Sequence, residues 1–214
     1  MATRSKINPD DILAAALKIV RQHGEEKLTA REIAKIMGCS TQPIIYNFSN
    51  MDNLRQATLR EADRFHTEYI VQKLQQNGGS IQQLAMSHVE FARDEKNLFK
   101  FLFLDRNNKP IPDNKPMLLS SKEGNAFTQM TAKITGLPLD YAQQLFTSMW
   151  WQVHGIATLV ATDMCYYTDT EIIKQLRVSF RGLRNHLKQQ QMLTETRREN
   201  HADLPYTRLT DTKR

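Results

Sequence analysis

The side chains best suited to specific chemistry in this sequence lie close together, between residues 41 and 47. Gln42 can form two hydrogen bonds with the edge of an adenine, and Thr41 and Pro43 can contact the methyl group of a thymine. Tyr46 can bind a phosphate or a base. Residues of these types at the start of a short helix are typical of base recognition in the major groove of DNA.

Two short helices joined by a tight turn are predicted to position these residues. Thr29 and Glu32 have the spacing of a capping box, which opens the first helix. Gly38 stands where a helix ends in a left-handed residue, because glycine has no Cβ to oppose a positive φ. Ser40 is expected to cap the second helix, with Pro43 in its first turn. The residues expected to face outward are Thr41, Gln42, Ile45 and Tyr46, while Ile44 and Phe48 pack inward.

The stretch 28–48 resembles the N-terminal helix-turn-helix of the tetracycline-repressor (TetR) family, whose pattern is roughly L-T-x-R-x-I-A-x-x-x-G-V-S-x-x-x-L-Y-x-H-F. The matching residues are Leu28, Thr29, Arg31, Ile33, Ala34, Gly38, Ser40 and Phe48. Ile45 and Met51 depart from the family, which usually has phosphate-contacting Tyr and Lys there, and Tyr46 lies beside the first of these positions. Together, the resemblance and the side-chain chemistry predict DNA contacts by Thr29, Arg31, Thr41, Gln42, Pro43, Tyr46 and Asn47.

Composition narrows the class of protein without deciding its function. The chain has 214 residues, a net charge of +6 and 40% hydrophobic residues, which suits a nucleic-acid partner but does not require one. Its two cysteines are too few for a disulfide framework, and the residues around them do not have the spacing of a zinc site. The sequence has no apolar signal segment and no apolar run of about 18 residues. We therefore expect a cytoplasmic protein that has no membrane partner and no cofactor.

Helical periodicity continues to about residue 192 and predicts an all-α fold. Residues 1–50 are expected to form a three-helix DNA-binding domain that packs on the remainder, since about 50 residues bury little core alone. Residues 51–192 are expected to form a helical ligand-binding and dimerisation domain, which begins with a long helix capped by Asn50. The polar residues 193–214 are expected to be a disordered tail.

The apolar body could hold a small hydrophobic effector. Aromatic residues and methionines recur at helical spacing, with His88, His154 and Tyr141 as possible polar anchors. The alternative is that these side chains only fill a core, as every buried helix requires. Trp151, His154 and Gly155 also resemble the W-x-x-H-G signature of a TetR C-terminal subgroup. The ligand-binding residues predicted are Phe103, Phe127, Met130, Phe146, Trp150, Trp151 and His154.

Three classes of function are compatible with a helical chain of this composition. An enzyme could use Cys165, His154 and Asp163, but neighbours on one helix are poorly placed for nucleophilic catalysis, so we expect no catalytic residue and no metal. The alternative to a TetR-like regulator is a helical module that binds another protein and does not bind DNA. The resemblance implies a regulator, in most cases a repressor, that binds a palindromic double-stranded operator as a homodimer. A small-molecule effector would release it, and pairing is expected through apolar seams at about 140–162 and 170–190.

Overall fold

A computed structural model describes residues 7–76, 78–105, 107 and 122–202, with the backbone alone given at 122–124 and 198–202. Every regular element in these ranges is helical, so the predicted all-α class is confirmed. The α-helices are α1 (Pro9–His23), α2 (Ala30–Met37), α3 (Gln42–Phe48), α4 (Met51–Gln76), α5 (Ile81–Asp94), α6 (Lys96–Phe103), α7 (Lys122–Thr135), α8 (Leu139–Ala161) and α9 (Asp169–Ala202), with a short 3-10 turn at Glu25–Lys27.

Four of these helices begin with a side-chain cap at the residue that the sequence predicts. In each, a side-chain oxygen accepts a hydrogen bond from a backbone N–H in the first turn, which otherwise lacks a partner. The pairs are Asn8 with Asp10 (3.1 Å), Thr29 with Glu32 (3.2 Å), Asn50 with Asn53 (2.8 Å) and Ser80 with Gln83 (3.1 Å).

The described residues divide into two compact units whose boundaries differ from the predicted domains. The first unit comprises residues 1–114 and 150–174, and the second comprises 115–149 and 175–214. The boundary expected at residue 50 therefore falls inside the first unit, where α1 packs on α6 as well as on α2, α3 and α4. The three N-terminal helices are too small to bury a core alone, and the expected packing on the following helices is confirmed.

The core of the first unit is apolar and aromatic. Its fully buried side chains include Ile12, Ile19, Ile33, Ile44, Leu54, Phe91, Leu98 and Phe99. In α6, the side chains of Leu98, Phe99, Phe101 and Leu102 are all buried, whereas Lys100 is exposed. One face of α4 runs through this core, because Leu54, Thr58, Ala62, His66 and Ile70 are buried at intervals of four residues.

In the second unit, the rings of Phe127 on α7 and Phe146 on α8 lie 6.1 Å apart. Thr131 and Thr135 are buried, and their hydroxyls donate to the carbonyl oxygens of Phe127 and Thr131, at 2.9 and 2.6 Å. These bonds satisfy polar groups inside an apolar helix face. Ile134 continues the helical spacing of Phe127 and Met130, which would place it on the same face, but it is 53% exposed.

The last helix is longer than predicted. Thr168 and Glu171 form a complete capping box: Thr168 Oγ1 accepts from the Glu171 N–H at 3.3 Å, and Glu171 accepts from the Thr168 N–H at 2.8 Å. The helix then continues past Leu193 to Ala202, so the predicted start of a disordered tail at residue 193 is wrong. Residues 190–196 are mostly Gln, Thr, Met, Leu and Glu, and Gln191 donates to Glu195 at 2.9 Å, which supports a helix without a buried face. Residues 203–214, and all but 105 and 107 of the predicted loop at 105–116, lie outside the described residues.

None of the described helices combines the length and the apolar character needed to cross a membrane.

Candidate functional site

The turn between α2 and α3 depends on Gly38. Its φ of 63° and ψ of 33° lie in the left-handed region, and the Cys39 N–H donates to the carbonyl of Ala34 at 3.0 Å. A Cβ built at Gly38 would meet nothing within 4 Å, so the glycine is required by backbone conformation and not by space. This turn fixes the direction in which α3 leaves α2.

Helix α3 has one buried and one exposed face. Ile44 is fully buried, and α3 packs on α1, α2 and α4. Tyr46 is 84% exposed, Ile45 is 39% exposed, and Thr41 and Gln42 are also exposed. The predicted outward face is therefore confirmed as exposed, whereas Phe48 is only half-buried.

The start of α3 differs from the prediction. The helix begins at Gln42, and Thr41 precedes it in a right-handed conformation without a side-chain cap, so Ser40 is not the N-cap. Pro43 occupies the first turn as expected, where the missing N–H costs nothing. Because no local side chain ties them down, the exposed groups at this end remain available to a partner.

The seven predicted DNA contacts divide by exposure. Thr29, Arg31, Thr41, Gln42 and Tyr46 are exposed, and Pro43 and Asn47 are half-buried. Two of them already have partners: Thr29 Oγ1 accepts from Glu32, and the Asn47 side-chain amide donates to the carbonyl of Pro43 at 2.7 Å. Thr29 and Asn47 therefore stabilise the two helices that present the other residues.

Ion pairs fasten the first three helices to the following ones. Arg21 on α1 binds Glu95, between α5 and α6, through two of its nitrogens. Arg55 on α4 lies between the carboxylates of Glu25 and Asp105, and its side chain is 13% exposed. Burial and a hydrogen bond donated to Asp105 raise the pKa of Glu25. These contacts hold α1 and the Glu25–Lys27 turn against α4 and α6.

Three histidines form a continuous hydrogen-bonded chain inside the first unit. His66 Nε2 on α4 lies 3.1 Å from His88 Nδ1 on α5, and His88 Nε2 lies 3.2 Å from His154 Nδ1 on α8. His66 and His88 are almost completely buried, and His154 is half-buried. His88 is thus a hydrogen-bonded core residue.

The interior holds these imidazoles in the neutral state. Burial, together with the neighbouring His154, lowers the pKa of His66 to about 3. Burial and the two other histidines lower the pKa of His88 well below its ordinary value, and burial lowers the pKa of His154. Neutral imidazoles each carry one N–H, so every link has one donor and one acceptor.

Aromatic rings surround the chain. The His88 ring lies 4.5 Å from the ring of Trp150, 5.5 Å from Phe99 and 5.5 Å from Phe103, measured between centroids. The His66 ring lies 4.7 Å from Phe91 in an edge-to-face arrangement. The three polar side chains are therefore satisfied by one another within apolar surroundings.

The predicted effector-binding residues do not form one set. Phe103, Trp150 and His154 meet around His88 in the first unit. Phe127, Met130 and Phe146 belong to the second unit. Trp151 is 64% exposed, since successive helix residues are rotated by about 100° and Trp150 faces inward, so its assignment to an internal cavity is wrong. Tyr141, a predicted polar anchor, has its hydroxyl 3.4 Å from Thr194 Oγ1.

His66 is the interior residue that the sequence analysis missed. It lies on a long helix that is mostly polar, so the surrounding charges obscure its buried stripe. The signal was present, because Ala62, His66 and Ile70 recur every four residues.

Comparisons with known proteins do not identify a family. No family model matches the chain, and no curated protein matches it. Across the described residues, no group of three or more His, Cys, Asp or Glu side chains is arranged to hold a metal ion. The features that bear on function are therefore the geometry of α2 and α3 and the interior of the first unit.

Proposed function

We propose that this protein is a TetR-like transcriptional regulator that binds a palindromic DNA operator as a homodimer and responds to an effector. The observation that carries the proposal is the division of α3 into two faces. Ile44 is fully buried, while Gln42 and Tyr46 project from a helix fixed at its start by the Gly38 turn. A rigid helix with exposed groups able to bind base edges is what major-groove recognition requires.

Direct base recognition is assigned to Gln42, with Thr41 and Pro43 beside it. An amide side chain can bind an adenine through N6 and N7, and the methyl and ring carbons can contact thymine. Arg31 and Lys35 on α2 are exposed, and as cations they can bind phosphates on either side of the groove. Phosphate contacts fix the register, and Gln42 supplies the specificity.

Dimerisation is assigned to the outer face of α8 and to α9. Trp151 and Leu159 on α8 are 64% and 38% exposed, and Gly155 lies between them at helical spacing. A glycine inside a helix costs about 1 kcal/mol relative to alanine. In the single chain nothing lies within 4 Å of a Cβ at residue 155, so the isolated fold gives no steric reason for this glycine. The close approach of a second copy's backbone provides one.

Coupling between effector and DNA is assigned to α4. This helix packs on α1, α3 and α5, and it contributes His66 to the interior. A displacement of α4 within the first unit would carry α3 with it. An effector acts only if it binds one position of α4 more tightly than the other.

A second candidate function, a helical module that binds another protein, is favoured by one observation. Ile36 on α2 and Ile45 and Tyr46 on α3 are 44%, 39% and 84% exposed, and large apolar side chains on a surface can bind a protein partner. The two candidates differ in their response to salt, because DNA binding releases counterions and weakens steeply as salt rises.

The deciding experiment is selection of duplexes from a random pool by the full chain, followed by affinity measurements between 50 and 200 mM salt. We expect enrichment of a two-fold symmetric sequence and a loss of affinity on the order of 10³-fold for about six phosphate contacts. Recovery of no enriched duplex, with a protein captured through the α3 surface, would support the interaction module instead. Gln42→Ala should relax the preference for the enriched sequence, and Gln129→Ala, at an exposed position on α7, is its matched control.

A further inference from the structure

The chain of His66, His88 and His154 joins three helices with three groups that titrate near neutral pH when exposed. Each histidine comes from a different helix: α4, α5 and α8. Filling a core does not require this arrangement, because apolar side chains would pack there without needing polar partners.

The hydrogen bonds set a limit on how many protons the chain can hold. One added proton can be placed on His88, which would then donate from Nδ1 to His66 and from Nε2 to His154. A second proton on either neighbour would direct an N–H toward another N–H across 3.1 or 3.2 Å. Double protonation is therefore incompatible with the closed packing of α4, α5 and α8.

No counter-charge stabilises a proton here. In the described part of the chain, the electrostatic effects on the three histidines come from one another. Asp63, three residues before His66, is half-buried and does not contribute to the pKa of His66. Charged groups on the surrounding helices pair with one another: Arg64 with Glu61 and Glu68, Lys73 with Glu90, Tyr69 with Asp94, Arg93 with Asp169, Lys96 with Asp163, and Arg55 with Glu25 and Asp105. Lys100 on α6 and Asp140 on α8 are exposed.

We propose that the histidine chain is an acid-operated switch: protons that enter it separate α4 from α5 and α8 and so displace the helices that α4 supports. The effector in this case is the proton. The further expectation that acid changes operator affinity rests on the proposed DNA-binding function. The separation of the helices does not depend on it.

The expected shift between the closed and open forms follows from proton linkage. Consider a histidine that has an ordinary pKa of about 6.5 in the open form and binds no proton in the closed form. Such a histidine raises the ratio of open to closed protein by about 25-fold between pH 7 and pH 5. His66 meets this condition, since its pKa in the closed form is about 3. His88 and His154 act in the same direction, so the transition takes up more than one proton and is steeper than a single titration.

The proposal can be tested by measuring the tryptophan fluorescence of the full chain carrying Trp151→Phe between pH 8 and pH 4.5. This leaves Trp150, whose ring lies 4.5 Å from His88, as the remaining tryptophan. We expect a reversible transition between pH 7 and pH 5 with a slope of about two protons. His88→Gln and His154→Gln should each lower the slope by about one proton, because each removes one titrating group and keeps an amide. His23→Gln, at the exposed end of α1, should leave both the slope and the midpoint unchanged. The proposal would be overturned if no transition occurs above pH 5. It would also be overturned if both glutamine variants keep the slope and the midpoint of the protein with all three histidines.

A second measurement covers the case in which a glutamine variant does not fold. Imidazole ¹⁵N spectra of the unsubstituted chain should show His66 and His88 neutral above the transition and protonated within it. Titration of these rings outside the fluorescence transition would overturn the switch. Duplex binding at the two ends of the transition then separates the two proposals. No duplex bound at pH 8 contradicts the proposed function alone, and equal binding at both ends contradicts the coupling.

Discussion

The guanidinium of Arg21, near the end of α1, binds the carboxylate of Glu95 at two points, with Nε 2.7 Å from Oε2. The two side chains differ in environment, since that of Glu95 is 9% exposed and that of Arg21 is 50% exposed. The contact links residues 74 positions apart and ties α1 to the junction of α5 and α6. The position of the first three helices therefore depends on a charge pair that is buried on one side only.

Removing either partner of this pair should have unequal effects. Arg21→Met keeps the apolar stem but leaves the Glu95 carboxylate buried without its partner, which should lower the free energy of unfolding by about 2–3 kcal/mol. Glu95→Gln leaves a half-exposed guanidinium that water can solvate, so we expect a cost of about 1 kcal/mol. Urea unfolding of both variants and of the double variant measures this difference. Equal costs would show that Glu95 is solvated in solution.

Gln42→Ala should weaken operator binding by about 1–3 kcal/mol and relax the preference at one base pair in each half-site. Lys35→Ala should weaken binding to all duplexes alike and reduce the salt dependence by about one phosphate contact. Mobility-shift titrations with operators changed at single positions distinguish the two effects. If Gln42→Ala leaves the ranking of these operators unchanged, another residue reads the base.

Gly38→Ala should destabilise the protein by about 1–2 kcal/mol through backbone strain alone, because a Cβ there has open space but φ is 63°. Gly38→Asn should cost less, since asparagine tolerates the left-handed region better than alanine. Thermal unfolding monitored by circular dichroism gives the comparison. A neutral effect of alanine would mean that the turn between α2 and α3 has another conformation.

Stability should fall as the pH falls below about 6.5, because the unfolded chain then binds protons that the buried histidines do not. For His66, with a folded pKa of about 3, the loss between pH 7 and pH 5 is about 2 kcal/mol. His88 and His154 add to it in the same direction. Urea unfolding of the native chain and of His154→Gln at both pH values should give a smaller loss for the variant. A loss of the same size in the two proteins would exclude a contribution from His154.

Gly155→Leu should leave the single chain folded, since nothing lies within 4 Å of a Cβ at that position and leucine favours a helix by almost 1 kcal/mol over glycine. If a second copy packs there, the added side chain obstructs it and the dimer dissociates at micromolar concentration. Sedimentation equilibrium measures the mass, and Gln72→Leu at an exposed position on α4 is the control. A monomeric native protein would exclude the proposed dimer altogether.

Local signals made much of the fold predictable. The caps at Asn8, Thr29, Asn50 and Ser80 depend on residues within three positions of one another, and so does the left-handed Gly38. At residue 40 the same logic failed, because α3 begins at Gln42 without a side-chain cap. Likewise, the end of α9 was missed because residues 193–202 form a helix without the apolar periodicity used to recognise one.

Tertiary relations were the part that the sequence analysis could not provide. His88 and His154 were noted separately, but His66 is 22 positions from the first and its link to them depends on how α4 packs on α5. Trp151 shows the converse error, because composition favoured a buried tryptophan and only the rotation of α8 shows that it faces outward. Which residues share an interior follows from helix packing and not from residue type.

The first unit is assembled from chain segments that the ribosome makes at different times. Residues 1–114 emerge well before residues 150–174, and 66 positions separate His88 from His154. At about 5–20 residues per second, this interval lasts on the order of 3–13 s. During it, α5 and α6 present to solvent the aromatic surface on which Trp150 and His154 later pack. The nascent chain therefore holds this aromatic surface without its later partners for several seconds, and the first unit completes its folding only after most of the protein has been synthesised.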